Sequence, residues 1–209
     1  MMTDMNMKAF LDELSSSSPV PGGGGACGYV AAIGMSLGTM VANLTTGKKK
    51  YAEYQEEIEK MITDTAKLTD ELAECMDKDA ASFKPLADAY GLPKNTPEEI
   101  AHKEEVMEKA LVVASEAPLA MMEKILEAMM LLDRLSAIGS RIALSDVGVG
   151  IKLCEAAMNG ASLNVYINTG MMKEKSLADK LNAKADDLIK RSGELAQITY
   201  ERVLKEIRK

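Results

Sequence analysis

The sequence predicts an all-α fold: a single domain over residues 1–209, built as an up-and-down bundle of long antiparallel helices. Three observations carry that prediction. Aromatic residues make up only 4% of the chain and tryptophan is absent, so side chains that favour sheets are scarce. Apolar residues recur at three-and-four spacing over long segments, which is the helical period. Glycine and proline cut the chain at only a few places, with no linker, repeat or low-complexity tail between them. A chain of 209 residues is long enough for one domain with an ample core.

In order, a short helix is expected from about Met5 to Ser15, followed by the turn Ser15-Ser-Ser-Ser-Pro-Val-Pro-Gly-Gly-Gly-Gly25. A helix from about Gly24 to Thr46 comes next, and no residue between Leu14 and Lys48 is charged although 27% of the chain is. So long a neutral run must be buried, membrane-spanning or ligand-facing. Ala26 to Thr46 has about the length of a membrane span. Its many glycines and hydroxyls, and the acidic residues ahead of it, favour a central helix of a soluble bundle, where small residues let neighbours approach closely. Tyr51 to Tyr90 then keeps an apolar stripe through Ile58, Met61, Leu68, Leu72, Cys75, Phe83 and Leu86, and Gly91-Leu-Pro93 stops it. Thr96-Pro-Glu-Glu99 restarts the chain with an N-cap, a proline at the first helical position and acids in the first turn. Pro118 is expected to kink or interrupt that helix before Met121 to Leu132 continue it. Asp133 to Met158 and Asn164 to Asn168 form a weakly charged, small-residue region, and Lys175 to Lys209 a last amphipathic helix.

A net charge of −7 argues against non-specific nucleic-acid binding, the one basic patch being Lys48 to Lys50. Cys27, Cys75 and Cys154 are odd in number, far apart and set in apolar segments, so they read as reduced thiols of a cytoplasmic protein, and no metal-ligand spacing appears. The only histidine, His102, sits among charged residues on an expected helix surface. No Ser/His/Asp or Cys/His machinery remains, so any catalysis must use carboxylates, amides, lysines and backbone dipoles.

One residue breaks the helical pattern. At about 100° per residue, Asp79 falls within about 20° of Leu72 and Phe83, in the middle of the apolar face, whereas Asp77 points away. Burial raises a carboxylate's pKa and suits it to proton exchange near neutrality. The alternative is structural, with Asp79 accepting hydrogen bonds from a neighbouring helix start. If the neutral helix and its successor are antiparallel, Asp79 lies one to two turns beyond the level of the Gly-rich turn, so carboxylate and turn can share a site. Successive Gly22, Gly23, Gly24 and Gly25 amides can form an anion-binding nest, or simply allow close packing. Lys48 to Lys50 would lie roughly 40 Å from Asp79 in one chain and could join its site only from a second subunit. Their other reading is a cationic helix C-cap.

Five phrases in order resemble the cyclodeaminase/cyclohydrolase family, meaning the C-terminal domain of formiminotransferase-cyclodeaminase and its stand-alone bacterial relatives. They are Leu14-Ser-Ser-Ser-Ser-Pro-Val-Pro-Gly-Gly-Gly-Gly-Ala26, Met40-Val-Ala-Asn-Leu-Thr-Thr-Gly-Lys-Lys-Lys-Tyr51, Met76-Asp-Lys-Asp-Ala-Ala-Ser-Phe83, Leu92-Pro-Lys-Asn-Thr-Pro-Glu-Glu99 and Asn164-Val-Tyr-Ile-Asn168. The resemblance implies a cyclodeaminase-like all-α domain, usually dimeric, acting on one-carbon tetrahydrofolates without a metal or any cofactor beyond that substrate. The family's catalytic acid maps onto Asp79, the residue that the stripe singles out. Asn43, Asn164 and Asn168 become candidates for positioning the pterin or its linker, or else for helix capping and interhelical bonding. Lys48 and Lys49 become candidates for attracting the folate glutamates. Where the family commonly has serine after the glycines, this chain has Gly25.

The expected reaction is hydrolysis of 5,10-methenyltetrahydrofolate to 10-formyltetrahydrofolate, since no formiminotransferase domain is attached to pass on a formimino group. The alternatives are cyclodeamination of 5-formiminotetrahydrofolate and a non-catalytic folate-binding role. The expected assembly is a cytoplasmic homodimer, with no nucleic-acid or membrane partner.

Overall fold

The computed structural model describes all residues, Met1–Lys209, and contains no strand. Six α-helices follow one another: α1 (Met7–Leu14), α2 (Gly23–Thr45), α3 (Gln55–Tyr90), α4 (Pro97–Ile138), α5 (Leu144–Met171) and α6 (Lys175–Ile207). Short 3-10 turns at Met2–Asp4, Lys49–Tyr54 and Arg141–Ala143 complete the chain.

Local chemistry sets the ends of these helices. The Asn6 side chain accepts the Ala9 amide to start α1. At α4 the expected cap forms as a full capping box: Thr96 Oγ1 accepts the Glu99 amide, and the Glu99 carboxylate accepts the Thr96 amide. The chain leaves α2 through Gly47, which has φ +72°, a left-handed conformation that glycine adopts without strain. Gln55 closes this corner, taking the Gly47 amide on Oε1 and donating from Nε2 to Thr46 Oγ1. The lysines that follow therefore do not serve as the C-cap of α2.

Two boundaries differ from expectation. α4 runs unbroken through Pro118 to Ile138, because packing on both sides outweighs the one hydrogen bond that a proline removes. α5 runs without a break through Asn164–Asn168, while Asp133 belongs to α4, the corner falling at Gly139.

α2, α3, α4 and α5 pack in a closed ring in which each contacts the next and α5 returns to α2; α6 lies against α4 and α5. Sequence neighbours run antiparallel, as the ion pairs Glu57–Arg134 and Glu71–Lys124 between α3 and α4 require. Met35, Ile58, Leu72, Met121, Met122, Ile125, Met129, Leu132 and Ile151 fill the centre and are fully buried. Flexible methionines fit the irregular gaps between long helices.

The neutral composition of α2 follows from its place, since it contacts α3, α4 and α5 together. α2 is also the one helix long and apolar enough to cross a membrane, and half of that stretch is buried within the bundle. Small residues bring α2 and α5 together: a methyl added to Gly34 would lie 2.9 Å from the Gly150 carbonyl, and one added to Gly150 2.7 Å from the Gly34 carbonyl.

Candidate active site

Glycine also brings α2 against α3. A methyl group on Gly24 would fall on the Asp79 carboxylate, and one on Gly28 would press on the Leu72 carbonyl at 3.1 Å. Asp79 is therefore level with Gly24, not one to two turns beyond it. The difference arises because Gly47, Lys48 and the 3-10 turn Lys49–Tyr54 all belong to the connection, which delays the start of α3.

Above this contact lies a cleft of about 160 Å³. Pro19, Val20, Gly22, Gly23 and Gly24 form one wall, Asp79, Ser82 and Phe83 a second, and Ala114, Asn164, Ile167 and Asn168 the rest. Four segments far apart in the chain thus converge on one opening. No side chain caps the start of α2, so its first amides face the cleft with the positive end of the helix dipole.

Asp79 has no hydrogen-bond donor on its carboxylate, in contrast to Asp77, which accepts the Met2 amide at 2.6 Å and the Thr3 hydroxyl at 2.9 Å. Burial among apolar groups pushes the Asp79 carboxyl up to about 6. The structural alternative, in which Asp79 serves as a bonded helix clamp, is therefore not what the geometry contains. Cys27, one turn into α2, is pushed up to about 11 by burial and then by the Asp79 charge. It is a neutral thiol near neutrality, as are the buried Cys75 and Cys154, and all three are free.

Asn164 and Asn168 project from successive turns of α5. Asn164 Nδ2 donates back to the Gly160 carbonyl at 3.3 Å, and Asn168 Nδ2 crosses to the Ala114 carbonyl of α4 at 2.8 Å. Gly25 is buried and points elsewhere: a side chain there would meet Pro21 at 3.3 Å and Met2 at 3.8 Å. The family's serine would not face this cleft, so its replacement by glycine removes no group from it.

Asn43, Lys48 and Lys49 lie at the opposite end of α2, about 30 Å away, and do not join the cleft of their own chain. Asn43 is exposed and bonds back to the Thr39 carbonyl. Lys48 Nζ donates to Ser140 Oγ at 3.1 Å, beside Tyr51, whose hydroxyl accepts the Arg141 amide at 3.1 Å. Burial raises the Tyr51 phenol, but the Arg141 amide, Ser140, Lys50 and Lys48 together hold it below its usual range.

Sequence reasoning alone does not find Pro19, Val20, Ser82, Phe83, Ala114 and Ile167 in the cleft. Ser82 and Phe83 lie within the phrase that carries Asp79, so their proximity was available. Ala114 carries no signal of its own. No cluster of three or more His, Cys, Asp and Glu side chains is arranged to hold a metal ion.

Fold and cleft together define an all-helical domain with one donor-free carboxylate beside a glycine helix start. The formiminotransferase-cyclodeaminase family model matches residues 6–187, and the chain belongs to that family. It is 35% identical over 197 residues to the methenyltetrahydrofolate cyclohydrolase of Methylorubrum extorquens, covering 94% of this chain and 95% of that one. It is 30% identical over 188 residues to the formimidoyltransferase-cyclodeaminase of Rattus norvegicus, covering 90% of this chain but only 35% of that longer protein. The crystal structure of formiminotetrahydrofolate cyclodeaminase from Thermotoga maritima superposes with a TM-score of 0.82, covering 100% of this chain and 98% of that one at 24% identity. That likeness shows the all-α fold.

Proposed function

We propose that the protein is a methenyltetrahydrofolate cyclohydrolase, with Asp79 as its proton carrier and no cofactor beyond the folate. The observation that carries this reading is the donor-free, half-buried Asp79 carboxylate, at about 6, facing the first amides of α2. The near full-length similarity to a cyclohydrolase supports the choice of reaction. Water adds to the methenyl carbon as Asp79 removes one of its protons. The carboxylic acid then returns that proton to N5 as the carbon–N5 bond breaks, and the second water proton leaves as the formyl C=O forms. Donors at the α2 start stabilise oxygen-centred charge that builds on the tetrahedral carbon.

Cyclodeamination of 5-formiminotetrahydrofolate uses the same carrier, and the relatives named cyclodeaminase keep it as the second reading. Absorbance at the methenyltetrahydrofolate band separates the two. Enzyme-dependent loss of the band from 5,10-methenyltetrahydrofolate, with no gain from 5-formiminotetrahydrofolate, supports the hydrolase. Ammonia-linked gain in the second cuvette replaces it with the deaminase, and no change in either leaves a non-catalytic folate binder.

The proposal includes a cytoplasmic homodimer, without nucleic-acid or membrane partners. A cleft of about 160 Å³ is smaller than the ~300–1,000 Å³ usual for small-molecule sites, so one chain holds only the reacting end of a folate. Ile33, Met40 and Leu44 along α2 and Val149, Leu163 and Ile167 along α5 are exposed and apolar. With two copies of α2 antiparallel, the partner's Lys48 and Lys49 stand at the Gly23 end, where they meet glutamates leaving the cleft. Sedimentation or light scattering that finds only monomer overturns this part.

A further inference from the structure

α4 continues through Pro118, and a proline has no N–H to give the carbonyl four residues earlier. That carbonyl belongs to Ala114, which lines the cleft. The ring also pushes it outward from the helix axis, and Asn168 Nδ2 reaches it at 2.8 Å. A carbonyl only accepts, so the nitrogen side of the amide must face Ala114 and Oδ1 must face away. Asn168 is 6% exposed and lines the cleft; no protein group donates to its Oδ1, and since no fully buried side-chain polar atom lacks a partner, that oxygen is open to the cleft. An amide oxygen open to the cleft and without a protein donor can accept a hydrogen bond from a ligand in place of water.

Its neighbours repeat the pattern. Asn164 commits its nitrogen to Gly160, leaving its oxygen free, and the Ser82 hydroxyl is spent on the Asp79 carbonyl at 2.8 Å. The cleft side chains therefore present acceptor oxygens, alongside the second N–H of each asparagine. Reduced pterins carry ring N–H groups and an exocyclic amine, a donor-rich edge of matching chemistry.

We infer that Pro118 is a positioning residue that locks the Asn168 amide, so that its oxygen accepts a hydrogen bond from the N–H edge of a reduced pterin ring. This rests on the folate reading for the ligand, but not for the lock itself. Pro118→Ala restores the helical donor to Ala114, draws its carbonyl back and frees the amide to turn.

The test compares wild type, Pro118→Ala, Asn168→Ala and the double variant for KM, kcat and tetrahydrofolate affinity. It also follows the Asn168 side-chain amide by 15N NMR without ligand. Each single change raises KM and the tetrahydrofolate Kd about fivefold to tenfold, with kcat within about twofold. The double variant is no worse than Asn168→Ala, because Pro118 acts only through Asn168. Asn168→Asp, which keeps an acceptor but loses the donor to Ala114, shows the same loss and serves where Pro118→Ala fails to fold. Additive effects, an unchanged KM and Kd, or a loss confined to kcat overturn the inference. An unchanged Asn168 amide resonance in Pro118→Ala overturns the lock even if the wild type proves inactive on every folate. A shifted resonance with no folate binding refutes the pterin ligand and the proposed reaction, while leaving the lock.

Discussion

The carboxylate of Asp79 occupies the space that a side chain on Gly24 would fill. The helix start and this carboxylate are thus held in contact by the absence of a single methyl group. Gly24→Ala must displace the carboxylate, which is the end of a rotatable side chain, rather than part the helices. Stability is expected to fall by about 1–3 kcal/mol at most, while kcat drops tenfold or more. Denaturant unfolding and steady-state kinetics measure the two separately; full activity in a folded Gly24→Ala protein would show that this contact has no part in turnover.

Asp79→Asn separates chemistry from stability more sharply. Turnover is expected to fall by two or more orders of magnitude, with tetrahydrofolate binding kept. For the wild type, kcat/KM rises with pH through about 6 as the base ionises, and this limb vanishes in the variant.

The same residue makes a prediction for stability. Its carboxyl is raised from 3.8 to about 6, so between those values the folded chain binds more protons than the unfolded one and stability falls as pH rises. Asp79→Asn removes that cost. It is expected to be more stable at pH 7 by on the order of 1–3 kcal/mol, a margin that closes as pH drops below about 4. Melting curves at pH 4 and 7 check this, and a variant less stable at both would show Asp79 to be a structural clamp.

Lys48→Ala combined with Lys49→Ala tests the composite site. KM for a polyglutamylated folate is expected to rise about tenfold at low salt, while the monoglutamate changes little. The difference shrinks as ionic strength rises, since the half-buried Lys48 and the exposed Lys49 would act on the glutamates through screened charge. Equal effects on both substrates would remove the lysines from substrate capture.

Gly193 lies inside α6 with nothing within 4 Å of an added methyl. Gly193→Ala is therefore expected to stabilise the protein by about 0.5–1 kcal/mol through the unfolded chain's lost freedom, with kinetics unchanged. Thermal melting measures this directly.

Much of the fold was legible because helices are written locally. The Thr96–Glu99 cap, the stop at Gly91 and the stripe from Ile58 to Leu86 each use residues within a few positions of one another. Where a local signal met opposing tertiary packing, it lost: Pro118 reads as a break, yet α4 passes through it because the turns on either side of it, with Leu111 and Ala114 before and Leu119 and Met122 after, are buried. The site was legible in part for the same reason. Asp79 stood out as an acid on an apolar face, while Asn43, Lys48 and Lys49 drew attention by sequence phrase and lie at the far end of α2.

By itself, the sequence determined the helical class, the neutral central helix and the one acid out of place on its stripe, all properties of period and composition along the chain. The tertiary structure alone decided that Gly24 is level with Asp79, that Gly25 faces Pro21, and that a proline-vacated carbonyl on Ala114 is met by Asn168, 54 residues later. The physical reason is register. Helix period determines which way a side chain points, but the level at which two helices meet depends on how many residues each corner consumes and how closely their glycines let them approach.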